Sequence, residues 1–250
     1  MIPRTSKDMA RPLGVRGHQK RSNLVASYKM KGEMFVESFD ESTTMLALDI
    51  DPRTRSITPQ PFTVRLDLGR IFSTRTEASQ AGTRHRVQPK DTAVVQEQIY
   101  TPDFLVELTS PTPLVVESKS ALEVAKIAGA LSRRGQILNS LGYQYLVVSS
   151  TAVNHVGLHS NLVHMRDAMK YRQQNDVSFF MEGLGQLVAD RHAPFPLKDL
   201  KGQIPDVSIY LGLISGVIGC DLRGGNLGNN TMVWQTHGDL AHLQLLPLGI

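Results

Sequence analysis

The chain has 250 residues, 41% hydrophobic and 20% charged, with a net charge of +4 and a single cysteine. That balance fits one large or two small domains with a real core, and it excludes extended disorder, which needs low hydrophobicity and a large net charge. Cys220 has no intramolecular partner, so a disulfide scaffold is excluded and a reducing compartment is expected. The most apolar window, 207–220, is interrupted by serines and glycines and is too short to span a bilayer. No apolar run ahead of a cleavage site follows Arg4, Lys7 and Arg11, so a cytoplasmic protein is expected.

The charge is unevenly spread. Residues 1–31 hold eight Lys and Arg against Asp8 alone, a net +7, which leaves −3 for the rest. With Pro3, Pro12, Gly14 and Gly17 and little apolar periodicity, residues 1–32 read as a basic arm without a core of its own. Such an arm suits a polyanion, because phosphate contacts release counterions. A solvated tail is the alternative.

Residues 33–170 read as a mixed α/β domain. A helix is expected over 37–49, where Met45 and Leu48 follow Glu41 at i+4 and i+7 and Pro52 stops it. A strand is expected over 57–68, with Phe62, Val64 and Leu66 alternating, then a polar loop or exposed hairpin over 73–90. Strands over 100–108 and 114–119 flank Thr109-Ser110-Pro111-Thr112-Pro113, a turn composition that predicts a hairpin. A helix over 121–141, closed by Gly142, precedes a strand over 143–149. Residues 171–250 read as a second domain. Helices over 177–190, 196–202 and 206–219 and short strands over 220–222 and 231–235 suggest a winged-helix-like module.

The chemistry concentrates at Pro102-Asp103 and Glu117-Ser118-Lys119. Strand alternation points Glu117 and Lys119 to one face, and a hairpin about Pro111 brings Asp103 roughly opposite them. Two carboxylates on adjacent strands suit Mg²⁺, which takes hard oxygen ligands and keeps sites for water and phosphate. Lys119 can then orient or help deprotonate a water and offset charge on a phosphorane-like transition state. The competing reading is an exposed edge hairpin with a salt bridge between Lys119 and either carboxylate. The apolar runs Phe104-Leu105-Val106 and Leu114-Val115-Val116 favour a buried cluster, which is costly unless paired or metal-bound. Glu41 shares a helix face with Met45 and Leu48 and could be a third ligand. Ser38-Phe39-Asp40-Glu41 equally matches a capping box, and Glu37 or Asp40 could be the ligand instead.

Glu37-Ser38-Phe39-Asp40-Glu41, Leu46-Ala47-Leu48-Asp49-Ile50-Asp51-Pro52, Gln60-Pro61-Phe62, Thr101-Pro102-Asp103-Phe104-Leu105-Val106 and Val116-Glu117-Ser118-Lys119, in this order and spacing, resemble the TnsA family, endonuclease subunits of heteromeric cut-and-paste DNA transposases. The resemblance covers about 33–150 and is thinner over 171–250. It departs at Ser42, where the family often has arginine, and at Asp49-Ile50-Asp51, which replaces the commoner Glu-Phe-Asp. It implies a restriction-endonuclease-like fold of the PD-(D/E)xK type with a C-terminal winged-helix-like domain, in a bacterial cytoplasmic protein. It implies Glu41, Asp103 and Glu117 as ligands of Mg²⁺, with Mn²⁺ able to substitute, and Lys119 as the catalytic lysine. The implied activity is cleavage at transposon 5′ ends. The implied partners are transposon-end DNA, a TnsB-like transposase of RNase H type that cuts and joins 3′ ends, and a TnsC-like ATPase regulator.

DNA phosphate contacts are expected from Arg16, Lys20, Arg21 and Lys29, with Arg84, Arg86, Arg133 and Arg134 as further candidates. A stand-alone nuclease of the same fold and a non-catalytic DNA-binding or scaffold subunit are the competing functions. His155, His159 and His164 complete no zinc motif. The glycine-rich segment 224–228 lacks the ending of a nucleotide-binding loop and reads as a hairpin turn.

Overall fold

The computed structural model describes residues 23–30, 33–36, 38–82 and 98–249. The fold is mixed α/β and divides into two compact units. The first comprises residues up to Ser42, Thr54–Ser150 and the last three residues; the second comprises Thr43–Arg53 and Thr151–Pro247. The division thus falls at Ser150, ahead of the compositional change near residue 170.

In the first unit, β1 (Asn23–Ala26) and β2 (Glu33–Val36) pair antiparallel. Helix α1 (Phe39–Ile50) starts at Ser38, whose hydroxyl accepts the Glu41 N–H at 3.1 Å, an N-terminal cap. The expected long strand at 57–68 is instead two strands, β3 (Thr54–Pro59) and β4 (Thr63–Arg65). The chain breaks between them because Gln60 takes a positive φ of 40° and Pro61 follows. Strand β5 (Arg70–Phe72) precedes α2 (Arg75–Gly82), a helix within the stretch expected to be loop or hairpin. The Glu77 carboxylate accepts the Ser73 and Thr74 N–H groups and Thr74 accepts the Glu77 N–H, so local capping explains it. The expected strand at 100–108 is likewise split into β6 (Ile99–Tyr100) and β7 (Phe104–Leu108).

Strand β8 (Leu114–Lys119) agrees with its predicted bounds. It is followed by α3 (Ala121–Lys126) and α4 (Ala128–Ser140), two helices where one was expected, and by β9 (Gln144–Ser149). The sheet order is β3-β7-β8-β9, antiparallel except for the parallel β8–β9 pair that the helices connect. A smaller sheet has the order β5-β4-β6. Phe62, Val64, Leu66, Tyr100, Val115 and Leu138 form a core against which Leu105 and Tyr145 pack.

The second unit contains most of α1, then α5 (Ser150–Val153) from Thr151 on, α6 (Leu158–Gln174), α7 (Ser178–Val188) and α8 (Asp206–Ser215). Its antiparallel sheet has the order β10-β12-β11, formed by Phe195–Pro196, Met232–Gln235 and Ile218–Cys220. The helix expected over 206–219 stops early because Gly216, at φ 71°, caps it in the left-handed conformation and releases the chain into β11. The helix expected over 196–202 is one 3₁₀ turn, Leu197–Asp199, since the residues before it pair with β12. Among the described residues, no helix is long and apolar enough to cross a membrane.

Candidate active site

Strand β8 is buried from Leu114 to Ser118, as befits a strand with a neighbour on each side. Its antiparallel register with β7 ends at Phe104 opposite Val116, and one further step sets Asp103 opposite Glu117. The Ser118 N–H donates to Asp103 Oδ2 at 2.9 Å. The Gln60 N–H donates to the Asp103 carbonyl at 2.9 Å, which ties the break after β3 to this strand end. Alternation places Val115, Glu117 and Lys119 on one face, the face on which Val115 joins Leu138 of α4 in the core.

At this end of the sheet Lys119 lies between the two carboxylates. Its ammonium is 3.0 Å from Glu117 Oε1 and 3.5 Å from Asp103 Oδ2. Lys119 and Asp103 remain about a quarter exposed (24% and 23%), whereas Glu117 is 2% exposed. Helix α4 buries Leu131, Arg134, Gly135 and Leu138, a single stripe at helical spacing. Arg134 Nη1 reaches Glu117 Oε1 at 2.5 Å and its guanidinium lies 4.4 Å from the centre of the Tyr100 ring. The Tyr145 hydroxyl donates to Glu117 Oε2 at 2.6 Å. Gly135 permits that bond, because a Cβ there would come within 2.9 Å of the Tyr145 ring. The Tyr100 hydroxyl, buried beside Glu117, makes no hydrogen bond of acceptable geometry among the described residues.

The two carboxylates are driven apart. Burial raises the Asp103 pKa, aided by the Glu117 charge and only partly opposed by Lys119. For Glu117 burial acts in the same sense but is outweighed by Lys119, Arg134 and the Tyr145 hydrogen bond, which together lower its pKa. Lys119 loses hydration, yet Asp103 and Glu117 overcompensate and raise its pKa, so it stays an ammonium. Burial and the Glu117 charge hold Tyr145 protonated and donating.

Of the sequence-predicted residues, Asp103, Glu117 and Lys119 are brought together. Glu41 is buried at the start of α1 with Asp40 half-buried beside it. Among the described residues no group of three Asp, Glu, His or Cys side chains could hold a metal ion, so Glu41 is not gathered with the other two carboxylates. Arg134, expected on DNA, is buried and committed to Glu117, while Arg133 is half-buried with Nη2 3.5 Å from the Leu66 carbonyl. Lys29 is half-buried, and its carbonyl accepts the Ile57 N–H. Arg16, Lys20, Arg21, Glu37, Arg84 and Arg86 lie outside the described residues. The roles of Arg134, Tyr145 and Tyr100 were not read from the sequence. Arg134 carried a signal, since it falls on the Leu131–Leu138 stripe where a charge demands a partner.

His159 accepts or donates one hydrogen bond with the Thr43 hydroxyl, and His164 stacks on Tyr210 at 5.3 Å. Cys220 is buried, and burial pushes its thiol up to about 12, far from a reactive thiolate.

The Asp103–Glu117 pair offers hard oxygen donors, and Mg²⁺ commonly takes one or two protein carboxylates with substrate phosphates and water completing its shell. Among the described residues no hydrogen bond falls on Asp103 Oδ1, and the ammonium between the carboxylates marks a position where positive charge is favoured. The donor set therefore fits a divalent cation in its two-carboxylate mode. No family model matches the chain, and no curated protein matches it.

Proposed function

We propose that this chain is a Mg²⁺-dependent DNA endonuclease subunit of a transposition complex, hydrolysing phosphodiester bonds at transposon 5′ ends. The observation that carries the reading is the Asp103–Lys119–Glu117 cluster at the ends of adjacent strands, with Lys119 within 3.5 Å of both carboxylates. In this reading the first unit is a restriction-endonuclease-like core and the second includes a winged-helix-like module. Asp103 and Glu117 would hold the ion, and Glu41, the third donor that the family resemblance implies, is not gathered with them. Mg²⁺ bound there would supply a Lewis acid and a more acidic water. Lys119, fixed by both carboxylates and partly exposed, orients the attacking water and offsets the charge that builds on the phosphate. The basic arm adds phosphate contacts, and a TnsB-like transposase and a TnsC-like ATPase are the partners.

The test is reconstitution with the partner transposase on end-labelled transposon DNA. Asp103→Ala and Lys119→Ala should each lower 5′-strand cleavage by about 10²–10⁴-fold while the partner's 3′ cuts persist. Retained 5′ cleavage by folded variants would sink the assignment.

One observation favours a second reading, a non-catalytic DNA-binding or scaffold subunit. Lys119 and Arg134 formally balance Asp103 and Glu117, as a purely structural ion-pair cluster would. Calorimetry in the presence of a duplex oligodeoxynucleotide separates the two: Mg²⁺ heats above those of the duplex alone that vanish in the Asp103 variant favour the nuclease, and no such heat in either protein favours the scaffold.

A further inference from the structure

Glu117 is fully loaded. Both its oxygens are engaged, Oε1 by Arg134 at 2.5 Å and Lys119 at 3.0 Å, and Oε2 by the Tyr145 hydroxyl at 2.6 Å. The two cations differ in exposure. Lys119 is 24% exposed, at the open edge of the cluster, whereas Arg134 is 8% exposed, held on the buried stripe of α4 and stacked over Tyr100. Two fixed negative and two positive charges leave a divalent cation approaching this pair with no net attraction. The negative charge of a phosphate restores it, and Lys119 is the more exposed cation that a phosphate can reach.

We infer that Arg134 is a positioning residue that sets the charge of the Asp103–Glu117 pair so that a divalent cation is captured together with a phosphodiester and poorly without one. The inference rests on the reading of this pair as a metal site. Arg134 holds Glu117 in place, and it makes metal and DNA binding mutually reinforcing, because each supplies charge that the other needs.

The experiment titrates the full-length protein with Mn²⁺ and reads free Mn²⁺ by electron paramagnetic resonance, with and without a duplex oligodeoxynucleotide, after subtracting the Mn²⁺ bound by the duplex alone. Wild type should bind Mn²⁺ about 10-fold more tightly with the duplex. Arg134→Met, which removes the charge and keeps much of the volume, should bind about 10-fold more tightly than wild type without DNA and lose most of the enhancement by the duplex. Arg134→Lys keeps the charge and should behave as wild type. An unchanged or weakened DNA-free affinity in Arg134→Met, with native circular dichroism, overturns the inference. So does wild-type binding that is indifferent to the duplex, an arm that decides the matter if Arg134→Met fails to fold. Mn²⁺ binding to wild type that ignores DNA overturns the coupling alone; no Mn²⁺ binding under any condition overturns the metal-site reading as well.

Discussion

Both units bury local ion pairs that satisfy backbone, as Arg65 does with Asp67 and the Ala78 carbonyl in the first, but they differ in their largest buried polar group. In the first, Asp103, Glu117, Lys119 and Arg134 converge at one strand end and pair with each other, with the Tyr145 hydroxyl and the Ser118 backbone as further partners. In the second, buried polarity closes chain. Asn161 on α6 donates to the Leu222 and Gly225 carbonyls at 3.1 and 2.8 Å and accepts the Leu227 N–H at 3.1 Å, pinning the glycine-rich segment. Arg53 likewise pairs with Asp51 at 2.6 Å and donates to the Leu246 carbonyl at 2.7 Å. A neutral amide or a local ion pair suffices to satisfy backbone groups. A convergent charge cluster costs desolvation and is weak evidence of stability, which makes it the candidate site.

That contrast is open to direct attack. The largest effect is expected from Glu117→Ala, which strands the buried Arg134 guanidinium: about 3–5 kcal/mol of stability should be lost, read by urea unfolding. Next comes Gly157→Ala in the second unit. Gly157 has φ 83°, and a Cβ there would lie 2.2 Å from the Asn226 backbone nitrogen. About 1–3 kcal/mol should be lost from overpacking and strain, with Mn²⁺ affinity unchanged. Gly135→Ala should cost less, about 1–2 kcal/mol, but should alter Mn²⁺ affinity because it pushes the Tyr145 ring away from Glu117. An effect of Gly157→Ala on metal binding as large as that of Gly135→Ala would erase the distinction between the units.

The smallest effect separates the two carboxylates. Glu117, with its pKa lowered, contributes stability that is present above the ordinary carboxylate range and is lost as pH falls through its lowered value. Asp103, with its pKa raised, has the opposite sign: its ionisation costs stability at neutral pH, and the cost disappears as pH falls through the raised value. Asp103→Asn should therefore leave stability at neutral pH unchanged or higher, by less than about 1 kcal/mol, while Mn²⁺ binding is lost. Metal affinity in wild type should weaken on acidification as Asp103 takes its proton, before Glu117 does. Thermal unfolding across pH checks the first expectation and Mn²⁺ titration the second.

Much of the site's first unit was legible in the chain because it rests on local rules. Period-two alternation in Leu114–Lys119 put Glu117 and Lys119 on one face, and the proline-rich turn before it dictated a hairpin that opposes Asp103 to Glu117. Other elements were hidden for identifiable reasons. The split at Gln60 was signalled only by its flanking Pro59 and Pro61, which the alternation of Phe62, Val64 and Leu66 outweighed, and the positive φ at Gln60 was not legible. Helix α6 went unread although Leu158, Leu162 and Met165 recur at helical spacing, because polar and histidine residues between them mask the stripe. The short strand Ile218–Cys220 looked like helix because an apolar, β-branched stretch serves either state until Gly216 ends α8.

What the sequence determined by itself, then, is the set of charged groups at the candidate site: two carboxylates and an ammonium, placed by strand alternation and a turn within 17 residues of chain, 103–119. What only the tertiary structure decided is their electrostatic setting. Arg134 and Tyr145 come to Glu117 from a helix and a parallel strand that local pattern cannot orient relative to β8. Side-chain direction along one strand follows from backbone geometry, whereas the neighbours of a buried charge follow from how separate elements pack, and it is those neighbours that set its ionisation.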